Sequence, residues 1–176
     1  MKKIIFLIGF FSFGLFAYPS GERGQKYFYQ YCSGCHSLKY GKQEIFFVSN
    51  LKASDARRWF GQVPPDLSLV TLKYSKPWLI HYLTGFYADK KARFGVNNKV
   101  IPHVAMPHVL ASTSDLGLEN KSDKIKIDYI AMDISNYLAD VAEPEHHGRV
   151  FWGVVVMFFC MIAILMLVVL NKLYKK

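Results

Sequence analysis

Five consecutive residues, Cys32-Ser-Gly-Cys-His36, constrain this chain more than any other stretch of it. The spacing C-x-x-C-H is the attachment signature of a c-type haem. Porphyrin geometry supplies the reason. Two thiols add to the two vinyl groups on one edge of the ring, and the short helical segment between them carries the following histidine under the iron. Cys32 and Cys35 are therefore the candidate attachment points, and His36 is the candidate axial ligand. Such a chain must wrap a flat apolar disc, so the cofactor becomes part of its core. Other uses of the motif fit less well. A thioredoxin-like C-x-x-C needs a βαβ setting, and none is visible. A zinc site needs further Cys or His ligands at matched spacing, and the third cysteine, Cys160, lies alone inside an apolar run.

Both ends of the chain are apolar, and each bounds the folded part. Lys2 and Lys3 precede a run of 14 mostly apolar residues, Ile4 to Ala17. That is short for a spanning helix and suits the core of a signal peptide, with Tyr18-Pro19-Ser20-Gly21 breaking the run. A retained N-terminal anchor is the alternative. At the other end, Val150 to Leu170 holds 21 residues without a charge. At about 1.5 Å per residue this covers roughly 30 Å, the thickness of the hydrocarbon core. Arg149 precedes the span, and Lys172, Lys175 and Lys176 follow it. That lysine excess assigns the C-terminus to the cytoplasm. The expected organisation is a signal peptide over 1–17, a periplasmic domain over 18–149, a membrane anchor over 150–170 and a cytoplasmic tail over 171–176. The expected location is a bacterial inner membrane, crossed once.

Charge narrows the partners. The chain is +9 overall, but setting aside the five lysines at its two ends leaves 17 basic residues against 13 acidic ones. These are scattered, and the compartment is wrong for nucleic acid.

Hydrophobic periodicity predicts a mainly α domain with four helical segments and no strand pair. The first runs from about Gly21 to Cys32, capped by Ser20, with Tyr27, Phe28, Tyr31 and Cys32 on one face. A short second segment, Ser54 to Phe60, is stopped by Gly61. The third starts at Ser75 and is closed by Gly85. The fourth is the clearest: Ile127, Ile130, Ala131, Ile134, Tyr137, Leu138 and Val141 repeat at helical spacing up to Pro144. Tyr87 to Glu119 reads as one long loop, and enclosing a flat cofactor would account for its length.

A sixth iron ligand is usual in an electron carrier, with Met or His the candidates. Met106, in Ile101-Pro-His-Val-Ala-Met-Pro-His108, lies in a proline-bracketed segment that can hold a thioether against a metal. His81, His103 and His108 are its rivals from the residues alone, so a bis-histidine site stays open.

Several motifs then occur in a familiar order. They are Cys32-Ser-Gly-Cys-His-Ser-Leu38 followed by Tyr40, Val63-Pro-Pro-Asp-Leu-Ser68, Leu83-Thr-Gly85, Val104-Ala-Met-Pro107 and Ala142-Glu-Pro144 before the span. Together they resemble the cytochrome c1 family over the whole chain from about residue 20. The resemblance implies a class I cytochrome c-like haem domain with one C-terminal transmembrane helix. It implies a single haem c on Cys32 and Cys35, His36 and Met106 as the axial pair, and Pro64, Pro65 and Leu67 packed on the haem. It also brings Gly24 and Phe28 against Tyr137 and Leu138. The family's usual Asn ahead of Pro-Pro-Asp is replaced by Arg57-Arg58-Trp59-Phe60, and Asn97-Asn98 runs into Lys99-Val100 where an aromatic pair is common. Arg57, Arg58 and Arg93 are candidates to pair with a haem propionate, with an ordinary surface charge as the other reading of each.

The function so implied is single-electron transfer within a quinol–cytochrome c reductase, the cytochrome bc1 complex. Partners would be a cytochrome b subunit, a Rieske iron–sulfur protein as donor, and a cytochrome c or oxidase as acceptor. The chain would be an electron-transfer subunit of a ubiquinol–cytochrome c oxidoreductase with no substrate-converting site of its own. One alternative is a tethered shuttle to a terminal oxidase. Another is a haem-based sensor, which wants an open sixth position and an output domain.

Overall fold

The computed structural model describes residues 21–41, 45–113 and 121–175. The expected signal segment 1–17, the Ser20 cap and the end of the expected loop, 114–119, lie outside them. Among the described residues the chain forms helices α1 (Gly21–Tyr31), α2 (Ala53–Phe60), α3 (Val70–Lys73), α4 (Lys76–Thr84), α5 (Lys121–Ala142) and α6 (His146–Tyr174). A two-stranded antiparallel hairpin, β1 (Phe86–Ala88) and β2 (Val96–Asn98), follows α4, and a 3-10 turn covers Val109–Thr113.

Helices α1 and α5 form the main crossing. All seven apolar positions expected on the last amphipathic helix, from Ile127 to Val141, are buried along α5. On α1 the residues facing them are Gly24 and Phe28. Phe28 is fully buried, and its ring meets that of Tyr137 at 5.8 Å between centroids. A side chain that size contributes roughly 1.5–3 kcal/mol by leaving water. Gly24 is where the backbones come closest. A Cβ there would lie 2.6 Å from Tyr137 Cβ and would run into the carbonyl of Asp133. Beside the crossing, Arg23 grips the Asp133 carboxylate through Nε at 3.0 Å and Nη2 at 3.2 Å. The arginine end is open to solvent, so this pair orients the crossing more than it stabilises it.

Local chemistry explains the helix ends. Gly61 closes α2 in the left-handed conformation (φ 79°), its N–H returning to the Arg57 carbonyl. Ser75 caps α4 by accepting the Trp78 N–H, and a proline lies in the first turn.

Two features differ from the sequence reading. Helix α3 was not expected, because four residues are too few to display a period. The stretch after Tyr87 is not a plain loop either. Its first part turns back through Gly95 (φ 69°) to pair Phe86 with Asn98 and Ala88 with Val96, and three-residue strands show no readable alternation. Helix α6 contains the 21-residue apolar run and begins four residues before it. Its segment Gly148–Tyr174 is long and apolar enough to cross a membrane, and fits a single-pass anchor.

Gly24→Ala should cost roughly 1–3 kcal/mol by overpacking the crossing. Denaturant unfolding of the detergent-solubilised chain, followed by circular dichroism, checks this. An unchanged midpoint would show that α1 and α5 do not meet as closely as described.

Candidate haem site

The site is built outward from the end of α1. The Phe28 carbonyl accepts hydrogen bonds from both Cys32 N–H (2.8 Å) and Ser33 N–H (3.0 Å), and the Cys32 carbonyl accepts from Cys35 and His36. Backbone turns thus carry both thiols and the imidazole straight off the helix. The segment after His36 is stapled to a second one, Pro64 to Ser68. Leu67 N–H donates to the Ser37 carbonyl (2.9 Å), Lys39 N–H to Asp66 Oδ2 (2.9 Å), and Tyr40 N–H to Ser68 Oγ (2.9 Å). His36 Nδ1 lies 2.8 Å from the Pro65 carbonyl oxygen. A carbonyl only accepts, so Nδ1 carries the proton, and the neutral ring keeps its lone pair on Nε2.

Cys32, Cys35 and His36 line one side of a cavity of about 620 Å³. Pro64, Pro65, Asp66 and Leu67 continue its wall, and α4 supplies Trp78, Leu79, Tyr82 and Leu83. The segment Val104-Ala-Met-Pro107 completes it, so Met106 and His36 share one cavity although 70 residues separate them. Tyr82 Oη lies 3.5 Å from Met106 Sδ. Burial pushes the Tyr82 phenol up to about 12, so it holds its proton and donates to the thioether.

Burial sets the protonation of the three motif residues. Burial, with a smaller contribution from Cys35, pushes the Cys32 thiol up to about 12. Burial also raises Cys35. The environment of His36 lowers its pKa, chiefly through burial, against the opposing pull of the Pro65 carbonyl and Asp66. All three shifts favour the uncharged forms of these side chains.

The sequence model of the cytochrome c1 family matches residues 41–176. A protein of Allochromatium vinosum named cytochrome c1 is 33% identical over 202 aligned residues, covering 88% of this chain and 83% of that protein. The chain belongs to the cytochrome c1 family. A Nitrosomonas europaea protein named ammonia monooxygenase gamma subunit is also similar, 28% identical over 174 residues, covering 78% of this chain and 74% of that protein. The family carries a single covalently bound haem c, and so does this chain. Its residues fit such a group: two thiols on one wall, an imidazole with Nε2 unprotonated, a thioether from another segment, and a largely apolar enclosure between them.

Other candidates fall elsewhere. Arg57 and Arg58 are exposed on α2, and neither lines the cavity. Arg93 does not line it either; its Nη1 donates to the Trp59 carbonyl at 3.4 Å. The cation on the wall is Lys73. Of the rival ligands, His81 is exposed on α4 outside the cavity. His108 lies outside it too, stacked on Phe86 at 4.8 Å. His103 does line the cavity, in a left-handed conformation (φ 58°).

Sequence reasoning missed the residues that hold the Met106 segment. Asn98 Nδ2 donates to the Tyr82 carbonyl (2.7 Å), while its Oδ1 accepts from Val100 N–H (2.8 Å) and, longer, Ile101 N–H (3.4 Å). Asn97 Oδ1 accepts from Asn98 N–H and from His103 N–H, and its Nδ2 donates to Asp89. Both asparagines are buried. An aromatic row at four-residue spacing, Tyr74, Trp78, Tyr82 and Phe86, was the readable signal for the α4 wall; Tyr74 and Trp78 stack at 4.0 Å.

Asn98→Ala should leave the Val100 and Ile101 N–H groups without their acceptor and take one of two donors from the Tyr82 carbonyl, which keeps the Gly85 N–H, lowering stability by roughly 1–3 kcal/mol. A thermal midpoint equal to that of the parent protein would remove Asn98 from this role.

Proposed function

We propose that this chain is the haem-bearing c1 subunit of a quinol–cytochrome c reductase. It would accept one electron from a Rieske iron–sulfur protein and pass it to a cytochrome c or an oxidase. The carrying observation is the convergence of Cys32, Cys35, His36 and Met106 on one cavity in a chain of this family. Haem supplies reversible one-electron chemistry at its iron when bound. Everything else falls to the protein. Cys32 and Cys35 would hold the group through thioethers. His36 would ligate through Nε2, with Pro65 holding the ring in that tautomer and orientation. Met106 would ligate through Sδ on the other side, and thioether ligation raises the reduction potential relative to a second histidine. Pro64, Pro65 and Leu67 would pack on the macrocycle and exclude water. Lys73, on the wall, is better placed than Arg57, Arg58 or Arg93 to meet a propionate.

The same reading assigns residues 1–17 to a cleaved signal peptide and 18–149 to the periplasmic side of a bacterial inner membrane. Residues 150–170 become the anchor and 171–176 the cytoplasmic tail. The anchor would lie beside a cytochrome b subunit, where quinol chemistry belongs. Its exposed apolar surface supports a role among lipids and neighbouring helices.

Purification of the tagged chain in mild detergent, with mass identification of what stays bound, tests the assignment. A b-type cytochrome and a Rieske protein in fixed ratio are expected. An oxidase, or the haem-bearing chain alone, would leave a tethered shuttle. Monooxygenase subunits would turn the reading toward the name of the Nitrosomonas relative.

Ligation has its own test. Met106→Ala should open the sixth position, so that the reduced protein binds carbon monoxide, and should lower the reduction potential. Met106→His should restore six-coordination at a potential below that of the parent. A parent-like spectrum and potential in Met106→Ala would exclude Met106 as the ligand.

A further inference from the structure

The basic residues are scattered along the sequence, but the net positive charge falls on α2, the hairpin and their flanks. Residues 52–62 and 86–103, which hold α2 and the hairpin, carry seven Lys and Arg against only Asp55 and Asp89. Helices α1 and α5, on the core side, carry five basic and five acidic residues and are balanced. Of the two acids on the basic face, Asp89 is already engaged: its carboxylate accepts from Asn97 Nδ2 (3.1 Å) and from Lys91 N–H (3.0 Å).

Contacts join α2 and the hairpin into one surface. Arg93 Nη1 reaches the Trp59 carbonyl, and the Phe60 and Phe94 rings meet at 5.6 Å. The surface borders the opening of the cavity. Phe60 and Gln62 line the cavity directly after α2, and Ile101 and His103 line it directly after β2. Gln62, Ile101 and His103 are also exposed, which marks that edge as a mouth. Beside it Trp59, on α2 with the exposed Arg57 and Arg58, is 59% exposed, and Val63, three residues past the end of α2, is 44% exposed. An exposed tryptophan flanked by arginines, with the charge excess around it, has the composition of a protein-binding centre.

We propose that this face is the docking surface for an acidic electron-transfer protein, which takes its electron at the cavity mouth. Charge complementarity carries the choice of partner. A basic cytochrome c would be repelled on approach, whereas an acidic redox protein would be steered onto Trp59 and its arginines. In the transfer one electron leaves the chain and reduces the acceptor's metal centre by one, with no bond made or broken. The proposal rests on the reading of the cavity as the haem site.

Stopped-flow oxidation of the reduced, haem-loaded full-length chain in uncharged detergent tests it, with one acidic and one basic ferric cytochrome c as acceptors. The acidic acceptor's second-order rate constant should fall about tenfold or more between ~10 mM and ~300 mM ionic strength, while the basic acceptor's should rise. The double variant R57E/R58E should lose at least about half of the logarithmic salt slope with the acidic acceptor. Its haem spectrum, and its rate with the small uncharged oxidant benzoquinone, should stay at parent values. A salt-independent rate, or a faster reaction with the basic acceptor at low salt, overturns the proposal. So does loss of the acidic preference when the chain is moved into nanodiscs containing anionic lipid, which would assign the face to headgroups. Failure of the parent chain to bind haem covalently, or to exchange an electron with benzoquinone at all, would instead sink the underlying haem reading.

Discussion

The close approach of α1 and α5 at Gly24 is the constraint on which the rest depends. Helix α1 runs directly into Cys32, so wherever α5 holds α1, it also holds the two thiols and His36. The Phe28 side chain belongs to the crossing, while the Phe28 carbonyl starts the turn that carries Cys32 and Ser33. One residue thus couples helix packing to the placement of the motif. The same α5 surface also contributes Ile134 and Leu138 to the cavity wall. Displacing α1 by the width of a methyl group would move both sides of the cavity relative to each other.

Opposite the motif the problem is different, because Met106 lies on no regular element. An irregular segment must spend its backbone polar groups somewhere, and buried ones need partners. Asn97 and Asn98 provide them. Their side chains satisfy Val100, Ile101 and His103 N–H groups and tie the segment to the end of α4. Tyr82, on α4, then reaches Met106 Sδ. The imidazole side is held in the same way, by Asp66 and Ser68 taking loop N–H groups and by the Pro65 carbonyl taking the His36 Nδ1 proton. Helices set the distance across the cavity, and side-chain-to-backbone bonds aim the groups that enter it.

This division decides what could be read from the sequence. The α5 stripe was legible because burial on one helical face writes a period into the chain, and each expected position from Ile127 to Val141 is buried. The motif at 32–36 was legible because covalent attachment demands one spacing. The ends of α2 and α4 were legible through Gly61 and Ser75, whose backbone and capping chemistry act locally. The hairpin was not, since three-residue strands held by asparagine side chains leave no alternation. The roles of Asn97 and Asn98 depend on partners up to 16 residues away, and a polar pair in a loop looks the same in sequence whether it is buried or solvated. Arg57 and Arg58 stood out as charges near a motif, but their direction is set by α2, which turns them to solvent.

The size of the cavity explains why such loops are built with so many polar staples. It measures about 620 Å³ and is lined largely by apolar side chains, which lack packing partners across it until a group fills it. The α1–α5 crossing alone can hold one wall. The opposite wall, made of α4 and the Met106 segment, lies across the gap and would have the haem as its packing partner there, so its own internal bonds keep it in register. The buried asparagines, the Ser75 cap and the stacked Tyr74, Trp78 and Tyr82 rings are all internal to that wall or to its junction with the hairpin. They preserve the ligand-bearing geometry locally, which is the arrangement expected where a cofactor supplies the core but cannot also supply the shape of the chain that receives it.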